Sequence, residues 1–313
     1  MQDGITVNKD EYTIQELMLD VGGGHEVYVQ DWGNKSAAQV ILRLHGGPGS
    51  ASKDSYKRLY DPQTQRVVFH DQRGCGKSLP YGSLSHNTTD DLVEDISKIA
   101  DKLGINKFIL QGTSWGSTLA LAYALAHPER VEALVIGGVF TASKAETDWL
   151  DDGLMKSFYP EVWEGYAGSV PEKHRDNPSG YHFQRILHGT DEQQKESAYW
   201  FSRLEGGVMF FDDTQPSFDY ETFDPVGSRI EVHYLANACF MPERYIFDHA
   251  TELTMPVHIV QGRYDMVCPP VAAYELAQKL PDARLYWTLS NHQVQHEGNT
   301  VFRAIFDGMR RKA

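Results

Sequence analysis

The chain has 313 residues, 41% hydrophobic and 12% aromatic, enough for one large α/β domain with an insertion or for two modest domains, and too apolar for a disordered chain. Its formal net charge of −14 at pH 7 disfavours nucleic acid and anionic membrane as partners and suits a cationic substrate. No apolar run approaches membrane-spanning length, residues 1–30 show no secretory signal, and the widely spaced Cys75, Cys239 and Cys268 fit reduced thiols, so a cytoplasmic location is expected.

In chain order, residues 12–19 and 26–32 read as two strands joined by the Gly22-Gly23-Gly24 turn. Residues 39–44 are nearly all apolar and run into His45-Gly46-Gly47-Pro48-Gly49, the pattern of a buried parallel strand whose carboxyl end feeds a functional loop. Gly47 has no side chain to obstruct a carbonyl oxygen, so its N–H is a candidate oxyanion donor. A second buried strand, 66–71, leads into Gln72-Arg73-Gly74-Cys75-Gly76-Lys77-Ser78. Residues 88–104 then spell a surface helix, acidic at its start, apolar at three- and four-residue spacing, and closed by Gly104.

The stretch 107–126 organises the rest. A short apolar run reaches Gly112-Thr113-Ser114-Trp115-Gly116, and an Ala/Leu-rich helical run follows at once. Strand, sharp turn and helix are the context in which Ser114 is presented as a nucleophile, with Gly112 and Gly116 allowing strand and helix to approach closely. The N–H of Trp115, next in the chain, is the second candidate oxyanion donor. Two phosphate-binding readings fail: a dinucleotide fingerprint needs Gly where Ser114 stands, and Gly76-Lys77-Ser78 has Asp71 in place of the earlier P-loop glycine.

After another apolar strand at 131–140 the rhythm breaks. Residues 141–250 are rich in aromatic and charged residues, contain no parallel-strand run, and read as an inserted, mainly helical cap domain. Strand, helix, strand and amphipathic helix resume at 256–265, 270–280, 284–289 and around 301–309. The expected catalytic domain is thus residues 1–140 and 251–313, an α/β unit with a mostly parallel central sheet. When a serine elbow tops such a sheet, its partners follow in the order Asp, then His, on loops after later strands. Asp265 and His292 occupy those places. His296 is the alternative base, and its spacing from His292 suggests zinc only on a helix, whereas here it follows a strand; neither metal nor cofactor is expected.

The chain resembles the proline iminopeptidases (prolyl aminopeptidases) of the α/β-hydrolase fold. The resemblance runs through His45-Gly-Gly-Pro-Gly49, Asp71-Gln-Arg-Gly-Cys-Gly76 with Lys77-Ser78, Asn87-Thr-Thr89, Ser114-Trp-Gly-Ser-Thr-Leu119 and Ser228-Arg-Ile-Glu231-Val-His233-Tyr234. It implies a Ser114–His292–Asp265 triad that releases N-terminal proline from a peptide or amino-acid amide through an acyl-enzyme. It also implies that Glu205 and Glu231, matching two cap glutamates of the family, hold the free amino group. Phe140, at a strand end beside the cap, is a candidate wall for the proline ring. The chain departs from the family's usual pattern at Thr113 in the elbow, at Asn291 before His292, and in the stretch after His292. Two other readings stand beside this one: an aminopeptidase, esterase or small-amide hydrolase of broader specificity on the same fold, and a non-catalytic binding protein. The intact Ser114, Asp265 and His292 speak against the latter.

Overall fold

The computed structural model describes residues 11–152, 155–210, 219–293 and 295–310. The strands are β1 (Thr13–Gly22), β2 (His25–Gly33), β3 (Gln39–Leu44), β4 (Gln65–His70), β5 (Phe108–Ser114), β6 (Val131–Val139), β7 (Val257–Gly262) and β8 (Ala283–Thr288). They form one sheet in the order β1-β2-β4-β3-β5-β6-β7-β8. β1 and β2 make an antiparallel hairpin, β2 pairs antiparallel with β4, and every pairing from β4 to β8 is parallel.

Every residue of β4 and β7 is buried, because helices cover both faces of a parallel sheet and leave no solvated side for polar alternation. Along the central strands the side chains still alternate between two cores. Leu42, Val68 and Leu110 face the core completed by α1 (Thr89–Lys102) and α2 (Trp115–Ala126). Ile41, Val67 and Ile109 face the core completed by the last helix, which contributes Phe302, Ile305 and Phe306. That helix begins at Gln295, earlier than its apolar spacing announces, because its first turn carries no apolar residue.

Between β6 and β7 every described element is helical. These are α3 (Lys144–Asp152), α4 (Met155–Phe158), α5 (Pro160–Gly168), α6 (Pro178–His188), α7 (Asp191–Val208), α8 (Val226–Ala236) and α9 (Tyr245–His249), with short 3-10 turns; α10 (Pro270–Lys279) and α11 (Gln295–Arg310) follow β7 and β8. Met155, Tyr166, Ile186, Phe201, Leu204 and Val232 form a third core within the inserted helices, whereas Ile246, Phe247 and Leu253 pack into the sheet's own core. α8 is fastened to the sheet layer by Asn87: Tyr234 Oη donates to Asn87 Oδ1 at 2.8 Å, and His233 Nε2 donates to its carbonyl at 3.0 Å. No helix among the described residues is long and apolar enough to cross a membrane.

Candidate active site

β5 ends on Ser114 and α2 begins on the next residue, leaving Ser114 at φ 58°, ψ −132°, a conformation non-glycine residues seldom adopt. The turn closes only because it is flanked by glycines. A Cβ on Gly112 would overlap the Gly116 carbonyl oxygen, and one on Gly116 would sit 2.5 Å from the Leu44 carbonyl oxygen. Helix α2 then secures the end of β6: Ser117 Oγ accepts from Phe140 N–H at 3.0 Å, and Thr118 Oγ1 donates to the Phe140 carbonyl at 2.7 Å. Phe140 itself is half-buried against the main core.

Asp265 lies past β7 and His292 past β8. Close approach of these loops requires a glycine, since a Cβ on Gly262 would lie 2.5 Å from the Asn291 carbonyl oxygen. His292 Nδ1–H donates to the Asp265 carboxylate, 3.0 and 3.1 Å from its two oxygens. The carboxylate also accepts from the backbone N–H groups of Val267 (3.0 Å) and Cys268 (2.8 Å) and from Gln261 Nε2 (3.2 Å), which fixes its orientation in a fully buried setting. Burial opposes the imidazolium of His292. The charge of Asp265 and its hydrogen bond outweigh that, with a smaller pull from Glu205, and hold the His292 pKa above the ordinary histidine value.

Ser114 pairs with Val139 across β5 and β6, and the preceding Gly138 backs onto the pair just described: a Cβ there would lie 3.2 Å from His292 Cε1 and 3.6 Å from Asp265 Oδ2. The end of β6 therefore brings the elbow and the His–Asp pair to one place. Among the described residues no hydrogen bond joins Ser114 to His292; such bonds are often long in ligand-free sites and tighten once substrate is bound. The buried Cys268 thiol is within hydrogen-bonding reach of Ser114, and burial, with the nearby Asp265 charge, pushes its pKa well up. The side chain of His296, the alternative base, lies outside the described residues.

The glycine loop packs against Ser114, a Cβ on Gly46 falling 3.3 Å from Ser114 Cβ. Gly47 holds φ +108°, which only glycine adopts without strain. Two residues whose part the sequence did not reveal hold this loop. His45 Nδ1 donates to the Gly46 carbonyl at 2.9 Å, and its Nε2 accepts from Gln72 N–H at 2.9 Å, a neutral tautomer favoured by burial, which lowers the pKa. Gln72 in turn donates to the His45 carbonyl (3.0 Å) and accepts from Trp115 Nε1 (2.9 Å), tying the glycine loop, the loop after β4 and the elbow together. Glu146, also unflagged by the sequence, is buried and accepts from the backbone and hydroxyl groups of Thr141 and Ser143, anchoring the chain as it leaves Phe140.

Glu205 on α7 and Glu231 on α8 are brought together by helix packing. Ser202 and Ser228, each one turn earlier on its helix, share a 2.7 Å hydrogen bond, and one turn on the two carboxyls bond to each other. Burial raises Glu205 to about 7, against the lowering effect of the Glu231 hydrogen bond and of His292; burial and the charge of Glu205 push Glu231 well above the ordinary carboxyl value. A hydrogen bond between two carboxyls requires a proton on one of them, so the pair holds a shared proton when that bond is made. A cavity of about 550 Å³ lies elsewhere, lined by Glu16, Tyr28, Asp54 and Lys77 among others, and includes none of these residues.

A strained serine beside a buried Asp–His pair on a mostly parallel sheet is built for nucleophilic acyl transfer, the chemistry of the α/β hydrolases. Residues 39–292 match the family model of the alpha/beta hydrolase fold. Over most of its length the chain is similar to proteins named proline iminopeptidase: it is 36% identical to one from Arabidopsis thaliana, covering 85% of this chain and 72% of that one, and 35% identical to one from Neisseria gonorrhoeae, covering 88% and 89%. Its fold is shared with the crystal structure of proline iminopeptidase from Mycobacterium smegmatis, with a TM-score of 0.65 at 20% identity over 95% of this chain and 98% of that one. The chain belongs to the proline iminopeptidase family of α/β hydrolases.

Proposed function

We propose that this protein is a serine aminopeptidase that releases N-terminal proline from peptides and amino-acid amides. Ser114 Oγ attacks the carbonyl of the first residue and passes its proton to His292 Nε2, while Asp265 keeps the proton on Nδ1 and stabilises the imidazolium. The N–H groups of Gly47 and Trp115 receive the developing oxyanion, His292 returns the proton to the departing amine, and water repeats the sequence on the acyl-enzyme.

The observation that carries the reading is the hydrogen-bonded Glu205–Glu231 pair, whose Glu205 is close enough to His292 for its charge to be felt there. Two partly buried carboxyls sharing one proton are costly to leave so, and a prolyl ammonium would pair with them; an acylated N-terminus would leave them unmatched. Phe140, at the end of β6, is the proposed wall for the proline ring, and residues 141–250 are proposed to act as a cap over a catalytic domain formed by 1–140 and 251–313. Buried free thiols at Cys75, Cys239 and Cys268 support placing the protein in a reducing cytoplasm.

The test compares Glu205→Gln with wild type on a free proline arylamide and on a short-chain acyl ester. The loss in kcat/KM on the arylamide should exceed that on the ester by about a hundredfold, roughly 3 kcal/mol, as for removing one partner of a buried charged pair. Equal losses on both substrates would take Glu205 out of amine binding.

A further inference from the structure

Asn291 is completely buried and uses both ends of its amide. Its Oδ1 accepts the N–H of His292 at 2.7 Å and the N–H of Met266, next to Asp265, at 3.2 Å. Its Nδ2 points the other way, donating to the Val208 carbonyl at 2.7 Å, to Tyr159 Oη at 3.0 Å and, at 3.4 Å, to the Phe210 carbonyl. Val208 is the last residue of α7, where helical carbonyls are left without backbone partners, so the amide satisfies one of them. Beside this contact Gln293 N–H reaches the Met209 carbonyl at 3.4 Å. Glu205 stands one turn back along the same helix.

We propose that Asn291 is a positioning residue that sets the spacing between the base His292 and the amine-binding carboxyl of Glu205, an inference that rests on the function proposed above. In an aminopeptidase the ammonium and the scissile carbonyl belong to one residue, so their separation is fixed by the substrate. A substrate anchored by its amine has no freedom to follow a shift of α7 relative to the His292 loop, and small misplacements of a reacting carbonyl are expensive. An ester that lacks the amine is free to adjust. Only an amide side chain meets both sides: aspartate offers acceptors alone, and an apolar residue would leave the Val208 carbonyl and the His292 N–H unmatched in a buried setting.

The experiment measures kcat/KM for a free proline arylamide and for a short-chain acyl ester in the wild type, Asn291→Asp and Tyr159→Phe. Asn291→Asp keeps an acceptor for His292 and Met266 but turns an oxygen toward the Val208 carbonyl. Its arylamide-to-ester ratio should fall about tenfold or more. Tyr159→Phe removes one acceptor on the inserted side and leaves Asn291 in place; its ratio should fall in the same direction by about threefold, and it carries the test if Asn291→Asp does not fold. Losses that are equal on the two substrates in the folded variant, as a purely structural role predicts, overturn the inference. A wild type that prefers free proline beside variants that keep the preference overturns this inference alone, whereas a wild type indifferent to the free amine overturns the aminopeptidase reading and this inference with it.

Discussion

At the scale of single residues, two titrations coincide on the acid side for different reasons. His292 is held above the ordinary histidine value by Asp265 despite its burial, and in the proposed mechanism it serves as base only when neutral, so turnover of any substrate is expected to rise with pH through that ionisation. Burial lifts Glu205 to about 7 and pushes Glu231 well above the ordinary carboxyl value, so as pH falls through about 7 Glu205 takes a proton and loses the negative charge that the proposed ammonium partner needs. The acid limb of log kcat/KM should therefore have a slope of about two for a free proline arylamide and about one for an acyl ester. Equal slopes on the two substrates would show that the pair does not titrate in the amine's path. The sequence spoke unevenly about these residues. Ser114, Asp265 and His292 stand out because an elbow and two strand ends are local patterns. Nothing in Trp200-Phe-Ser-Arg-Leu-Glu205 distinguishes a carboxyl turned inward from one on a solvated helix face; only the resemblance singled it out, and the structure adds the Ser202–Ser228 contact that turns the two carboxyls toward each other.

At the scale of elements, the elbow is a steric device that two strands and a helix share. β5 and α2 meet with no room at Gly112, and α2 meets the end of β3 with no room at Gly116. Gly112→Ala should destabilise the protein by more than about 3 kcal/mol, because the clash is with backbone and cannot be relieved by a side-chain rotation. Thermal or denaturant unfolding measures it, and a variant of unchanged stability would contradict the close approach described for β5 and α2. The positions of the strands were legible because hydrophobic runs of strand length between glycine turns leave few alternatives. What stayed hidden is which side chains lock the loops: His45 with Gln72, Asn87 with Tyr234, and Asn291 with Val208 are partners far apart in the chain, and hydrogen-bond choice at that separation leaves no periodic trace. The early start of α11 was missed for the related reason that its first turn is polar.

At the scale of the whole molecule, the sheet supplies a rigid edge on which the elbow, the Asp265 loop and the His292 loop converge, and the inserted helices bring Glu205, bonded to Glu231, within electrostatic reach of His292. The break in strand–helix rhythm at residue 141 was visible in composition, but the packing of the inserted helices was not, because their third core is assembled from apolar residues scattered between 155 and 232. A net charge of −14 adds a field that favours the approach of a cationic N-terminus over an anionic one. These features support the proposed requirement for a free amino group on the substrate. The most direct measurement is the initial rate of wild type on a proline arylamide with a free N-terminus, beside its N-acetylated form and an alanine arylamide. Rapid turnover of free proline, with slow turnover of alanine and next to none of the acetylated form, is the expected result. Comparable hydrolysis of all three would contradict it, leaving a serine hydrolase whose paired glutamates do not read the substrate's amine.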